Sequence, residues 1–532
     1  MSPIETGGQL NLLRSPLAND SPAPAAWRLR ILLFALWLAL VAWLISGHVF
    51  WRDEVRAFSL ALSGSNVLDM LRNVHGEGHP ALWYLILRVG HDLFPMRQVL
   101  PVAGALIGIA AMALLAFRSP FRIGVVALIL FSFFGAFEYL VVSRNYGIAA
   151  LVMFAIAALY RRIRNSLWLG LLIALLCNTN VPSCILAAGF LLFRFVEMLG
   201  ERSTLNRREW LVFCGNAALA LAGALLCFVT VFPTVNDQAV SSNLADIGIG
   251  KMVAGLLDTE AGFSHFGFGI WFSHLGRGFW SPLDLMLLLA SLLGLVRRPA
   301  AIIAAIAALI ALKLFFYLIY PSYYRHEALF IVYLIALYWM VARGAGGRWR
   351  RDGKWLDHLQ LAGTCVFIAL LALQSVRLVK PVQQQIAGTP YSRSSEVTQL
   401  LQKPELRGAI IMADPDTMLE PFPFYGDNPL WFLRQQGFGQ VVRLSRSDRR
   451  FLTLDEVVSD AQRLHRQTGR PIVFLDHHGL QAATPDHYVT MFKDETIIDP
   501  PSVNRFRSSM RLVASLRPAG TDEEYEVYAY PR

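Results

Sequence analysis

The chain has 532 residues, of which 55% are hydrophobic and only 16% charged, and its mean hydropathy is +0.45. That composition excludes a soluble globular protein and describes a polytopic membrane protein. The formal charge of +10 does not point to nucleic acid, because Lys and Arg fall in short clusters between apolar segments, where they act as orientation signals.

Residues 1–26 are rich in Ser, Pro, Asn and Gly and read as a disordered cytoplasmic tail. Trp27-Arg28-Leu29-Arg30 and the apolar run from Ile31 to Gly47 follow as an uncleaved signal anchor. The stretch from Phe50 to Asp92 is too polar to span. Further apolar segments run from Val99 to Phe117, Ile123 to Val142, Tyr146 to Tyr160, Ser166 to Asn178, Pro182 to Val196 and Trp210 to Phe232. After a long loop come Pro282 to Val296, Ala300 to Ile319, Glu327 to Ala342 and His358 to Leu378. This predicts about eleven transmembrane helices. Two of the segments, Ser166 to Asn178 and Pro182 to Val196, are short enough to form a re-entrant hairpin instead. From Val379 on, the strand-like runs GAIIMAD, QVVRLSR, PIVFLD and EVYAY and a helical stretch from Leu454 to Gln467 predict a soluble α/β domain. The five cysteines, Cys177, Cys184, Cys214, Cys227 and Cys365, lie in or beside apolar segments without metal or redox spacing, so neither disulfides nor a zinc site is expected.

With the N-terminus in the cytoplasm, every return to that side is basic: Arg118 and Arg122; Arg161, Arg162 and Arg164; Arg194, Arg202, Arg207 and Arg208; Arg297 and Arg298; and Arg343 to Lys354. This holds only if His79 to Phe94 does not cross, so it is expected to be an amphipathic or half-inserted helix on the outer face. The resulting domains are the tail at 1–26, a membrane domain at 27–378 with periplasmic loops at 50–95 and 233–281, and a periplasmic α/β domain at 379–532. The setting is a bacterial inner membrane.

The chemistry-bearing residues gather on that outer side. Asp53 and Glu54 are adjacent carboxylates just after the first span, which suits a general base, although a helix start capped by acidic residues has the same pattern. The turn His75-Gly76-Glu77-Gly78-His79-Pro80 lacks helical metal spacing and suits hydrogen bonding to a polar substrate, or simply starts the next helix. Arg144-Asn145-Tyr146 runs against the positive-inside bias, so Arg144 either binds phosphate or pairs with a carboxylate such as Glu138. Tyr320 to Glu327 is a second outer-side cationic turn, and Lys313, Arg325 and His326 together suit a clamp on an anionic headgroup, the alternative being that Lys313 merely snorkels. The aromatic loop from Ala261 to Pro282 is either an interfacial belt or a platform for a sugar or isoprenoid. Asp414-Pro415-Asp416 and Asp476-His477-His478 in the soluble domain are turns or acceptor contacts.

Three stretches carry a resemblance. Asp53-Glu54 after the first span, HPALWYLIL from His79 to Leu87, and SRNYGIAALVMFAIAALYRR from Ser143 to Arg162 are together similar to the GT-C superfamily of membrane glycosyltransferases, which includes protein O-mannosyltransferases, aminoarabinose transferases and arabinosyltransferases. His79 stands where the usual proline pair has its first member. The Tyr324-Arg325-His326 turn looks like a later family feature. The resemblance implies a hexosyl- or pentosyltransferase that takes its sugar from a polyprenyl phosphate donor and passes it to a cell-envelope glycan, lipid or protein. Asp53 and Glu54 would be catalytic, with His79, Arg144, Tyr146, Lys313, Tyr324, Arg325 and His326 binding substrate. No metal site and no resident cofactor are assigned, with a divalent cation left open. The competing classes are a transporter or flippase for a lipid-linked glycan, disfavoured because the ionisable residues gather at outer ends with no visible repeat, and a non-catalytic scaffold that binds envelope glycan.

Overall fold

A computed structural model describes residues 16–17, 24–203, 205–232, 248–260, 262–265, 267–269, 273–347, 353–443, 445–480, 487–489 and 494–531. Most of the expected tail at 1–26 lies outside these residues, as do 233–247 and parts of the aromatic loop. The architecture is a helical membrane domain carrying a C-terminal α/β domain. Among the described residues, nine helices are long and apolar enough to cross a bilayer, which takes about twenty residues.

The two remaining predicted segments are shorter helices, Ile123–Leu130 and Leu167–Cys177. Of the two, Leu167–Cys177 has contacts at both ends that set it alongside the neighbouring spans. Leu167–Cys177 starts beside Arg164 and Asn165, which bond Glu201 and Arg194, and ends at Thr179, whose carbonyl accepts from Asn145 Nδ2 at 2.6 Å. The next helix, Val181–Glu201, runs the full way back with 21 residues, so this pair is not a re-entrant hairpin. Ile123–Leu130 gives way to a π turn at Phe134–Glu138 and then to buried irregular chain up to Asn145. The break has a local cause: Ser132 Oγ donates to the Ile129 carbonyl and accepts from Gly135 N–H, both of which compete with the helical ladder. A Cβ at Gly135 would stand 2.3 Å from the Ile129 carbonyl oxygen, so only glycine fits this turn. The unwinding brings Glu138, Tyr139 and Arg144 to the domain's end as buried side chains.

Enclosure sorts the spans. The helix Tyr324–Ala342 is the innermost, with 83% of its apolar window buried, against 22% for the peripheral helices Trp27–Ser46 and Arg207–Val231. Arg325 and His326 therefore open a helix that is ringed by others and cannot face lipid. The helix Leu82–Leu93 is twelve residues long, roughly 18 Å at 1.5 Å per residue, too short to span alone. It turns Trp83, Tyr84 and Leu87 inward and leaves Val89 and Leu93 exposed, the two-sided pattern expected of it.

In the C-terminal domain a four-stranded sheet has the order Ile410–Asp414, Ile472–Asp476, Tyr525–Tyr530, Arg511–Leu516, with the first pair parallel and the others antiparallel. Both faces are covered. Ile411, Ala413, Val473, Leu475 and Val527 enter one apolar cluster, and Ile410, Met412, Ile472, Phe474 and Tyr528 enter another, the strict alternation of a two-layered strand. The predicted helix is present as Leu454–Thr468, started by a Thr453/Glu456 capping box and stopped by left-handed Gly469. The run QVVRLSR is not a strand among its described residues. Its Val442 N–H donates to Glu420 at 3.0 Å and its carbonyl accepts from Arg56 at 2.8 Å, so contacts with other parts of the fold take the place of a ladder.

Candidate active site

Trp51 caps the helix Arg52–Ala61, which places Asp53 and Glu54 in its first turn about 100° apart on the helix surface. The two carboxylates therefore face different surroundings. Glu54 is buried and fully engaged: it accepts from Ser143 N–H at 2.7 Å, from Trp51 N–H at 3.2 Å and contacts His48 Nε2 at 3.0 Å. It ties the first loop to the irregular chain that carries Arg144. Asp53 is a quarter exposed and holds Arg144 Nη1 at 2.6 Å and Arg325 Nη2 at 3.6 Å, both on Oδ2.

Around this carboxylate the predicted residues assemble from four separate parts of the chain. Arg144 Nη2 lies 3.3 Å from His79 Nε2 and its guanidinium sits 5.5 Å from the centre of the Tyr146 ring. Arg has no acceptor, so His79 Nε2 must accept and its proton resides on Nδ1. Burial first, and then the Arg144 charge, push the His79 ring down to about 3, which keeps it neutral. For Asp53, burial pulls upward, but Arg144, Arg325 and Arg52 outweigh it and hold the carboxyl well below the usual carboxylate range.

Arg325 packs over the rings of Tyr323 at 4.9 Å and Trp51 at 5.8 Å, and its backbone carbonyl accepts from Tyr139 Oη at 2.7 Å. Its Nε is buried without a hydrogen-bond partner, and its link to Asp53 is long. Such an incompletely satisfied guanidinium is suited to a further anionic oxygen. His326 Nδ1 accepts from Tyr323 N–H at 3.1 Å, and its ring meets Tyr146 edge-on at 5.7 Å. In the neutral ring this leaves the proton on Nε2.

Two predicted residues point elsewhere. Tyr324 Oη bonds Gln374 at 2.9 Å, with Arg377 stacked 4.2 Å from its ring centre, and Lys313 Nζ bonds the Asp258 carbonyl. Arg144 forms its ion pair with Asp53. In the HGEGHP turn, Glu77 pairs with Arg56 and His75 is exposed, so the three side chains diverge. Among the described residues no group of three or more His, Cys, Asp or Glu converges as a metal site.

Sequence reasoning did not find Glu327, the aromatic partners Trp51, Tyr139 and Tyr323, or His48. Glu327 is buried and accepts from Ser264 N–H, His265 N–H, His265 Nδ1 and Ser322 Oγ, which latches the described part of the aromatic loop to the start of the central helix. Its position directly after Arg325-His326 was the available signal. In the soluble domain, Asp414 binds Arg434 at 3.0 Å and His478 at 3.1 Å, while Asp416 accepts from Leu433 and Arg434 N–H. Asp476 accepts from His478, Gly479 and Leu480 N–H. Burial pushes Asp416 up to about 8 and Asp476 to about 6. These carboxylates are engaged by side chains and backbone of their own domain and do not join the Asp53 group.

Because Glu54 serves three partners, Glu54→Gln is expected to lower the Tm by several degrees while Glu54→Ala lowers it further. A thermal unfolding series of the purified full chain in detergent checks this, since each lost buried acceptor costs roughly 1–3 kcal/mol.

No protein-family model matches the chain, and no curated protein does. Among solved structures, the chain is similar to the crystal structure of ArnT from Cupriavidus metallidurans bound to undecaprenyl phosphate, at 15% identity and a TM-score of 0.47 over 95% of this chain and 98% of that one. The apo structure of the same protein gives 14% identity and a TM-score of 0.46 over the same shares.

Proposed function

We propose that this chain is a GT-C-type membrane glycosyltransferase that moves a sugar from a polyprenyl phosphate to a cell-envelope acceptor. The observation that carries the reading is the shared Asp53 oxygen: two guanidinium groups and a neutral imidazole, brought from three other parts of the chain, surround one carboxylate at the ends of the spans. An acceptor hydroxyl attacks the anomeric carbon, its proton passes to Asp53, and the bond from that carbon to the phosphate oxygen breaks. The electron pair leaves with the lipid phosphate, where Arg144 and Arg325 stabilise the charge.

A carboxyl held far below the usual range is a weak base, so it requires a trigger. Donor binding supplies one. An anionic phosphate drawn to Arg144 and Arg325 offsets the positive field that depresses Asp53, and its proton affinity rises when the donor is in place. Glu54 acts by positioning. Tyr146 supports Arg144, His326 offers Nε2–H to the substrate, and Lys313 and Tyr324 brace the neighbouring helices.

The reading sets the N-terminus in the cytoplasm of a bacterial inner-membrane protein, with 27–378 as the catalytic membrane domain and 379–532 as a periplasmic domain. The basic clusters support this sidedness. An alkaline phosphatase fused after Leu378 is expected to be active, and activity of only a cytoplasmic reporter at that site contradicts the model. In a deletion strain, mass spectrometry is expected to show a lost envelope glycan and an accumulated lipid-linked sugar. If both pools match the wild type, the proposed transfer is wrong.

A further inference from the structure

Charge is concentrated on either side of Asp53 in the same helix, at Arg52 and Arg56. Arg56, one turn beyond Arg52, sits at a three-way junction. One nitrogen bonds Glu420 and the Val442 carbonyl of the C-terminal domain, and the other bonds Glu77 in the turn that ends in His79. Glu420 is almost wholly enclosed, and it also accepts from Val442 N–H at 3.0 Å. Arg52 makes a two-pronged pair with Asp522 at 2.9 and 2.7 Å, and its backbone N–H donates to buried Glu523 at 2.7 Å. Glu523 in turn accepts from Ser392 Oγ. A third link joins Arg97 to Asp427.

Arg97 and Asp427 are an exposed pair and contribute little, but the contacts at Glu420 and Glu523 differ from ordinary surface ion pairs. The carboxylates at Glu420 and Glu523 are buried, so removing the guanidinium leaves an uncompensated buried group. Asp53 lies between Arg52 and Arg56 on one helix, and His79 is two residues beyond Glu77, so the clamp holds both the carboxylate's helix and the imidazole's turn through contacts separate from those of Arg144. Glu77, Glu420 and Tyr84 are the titratable groups that face Arg56.

We infer that the C-terminal domain is a working part of the Asp53 site, with Arg56 as the positioning residue that sets His79 and Asp53 in register through Glu77 and Glu420. This rests on the transferase reading of that site. The domain is therefore more than an acceptor-binding appendage.

The test uses the purified full chain in nanodiscs, with undecaprenyl phosphate as the probe and hydrogen exchange as a readout independent of any ligand. In Glu420→Gln, amide exchange in residues 74–80 is expected to rise about tenfold while the sheet strands 410–414 and 472–476 stay protected. Affinity for undecaprenyl phosphate should fall about fivefold, with Glu420→Asp recovering much of the loss. His79→Ala should lower affinity by a similar factor, and the double variant by little more than either alone. Unchanged exchange at 74–80 overturns the inference whatever the lipid does, as does full additivity of the two substitutions. Absence of undecaprenyl phosphate binding in the wild type counts against the transferase reading, and the exchange result then still decides whether the domain positions the turn.

Discussion

If Asp53 is the base, Asp53→Asn is expected to lower turnover by about 10²–10⁴, the span assigned to a positioned acid or base, and to deplete the envelope product accordingly. The substitution keeps size and most hydrogen bonding and removes only the charge and the proton site. Its neighbours then reveal the role. Without the carboxylate, Arg144 and Arg325 face each other uncompensated, so undecaprenyl phosphate should bind at least as tightly as in the wild type. Tighter lipid binding with lost product identifies a group needed in the chemical step. Wild-type product levels, read by mass spectrometry of envelope glycans, would falsify the assignment.

Arg144→Ala is expected to act on both sides of the reaction. A charge-assisted hydrogen bond contributes about 1.5–3 kcal/mol, so undecaprenyl phosphate affinity should drop by about 10- to 100-fold, measured by native mass spectrometry or ligand-induced thermal shift. Arg144→Lys should recover only part, because a point charge cannot bridge Asp53 and His79 at once. The same change releases Asp53. Arg144 is the largest influence lowering that carboxyl, so its pKa rises in the variant. A group depressed in the folded state stays ionised down to unusually low pH, and the acid limb of the rate profile in the variant should therefore move upward. If the limb stays in place while affinity falls, Arg144 binds lipid without tuning Asp53.

The further coupling through Arg56 connects these predictions to the rest of the molecule. Damage at Glu420 should reach the lipid site through His79, and damage at Arg144 should leave the C-terminal clamp intact. The two directions are separable by exchange at residues 74–80.

Apolar runs of about twenty residues, with their flanking arginines, determined from sequence alone that this is a polytopic helical membrane protein, because a continuous apolar run of that length satisfies its own backbone hydrogen bonds in a bilayer as a helix, whereas barrel strands are shorter and alternate. The soluble domain was legible too, through alternation in GAIIMAD and PIVFLD and the cap before Leu454. All nine singled-out side chains were suspected without the structure, the seven acids, bases and histidines among them because ionisable groups beside spans are costly without a reason. What only the tertiary structure decided is the division of labour. Asp53 and Glu54 are equivalent in sequence, but the helix that holds them turns one toward Arg144 and Arg325 and buries the other beneath Ser143. Lys313 and Tyr324 were grouped with Arg325 as substrate-binding residues and yet answer to Asp258 and Gln374. The run QVVRLSR has a strand's pattern and lost its ladder to Glu420 and Arg56. In each case local pattern states what a residue can do, and long-range packing selects which partner it meets.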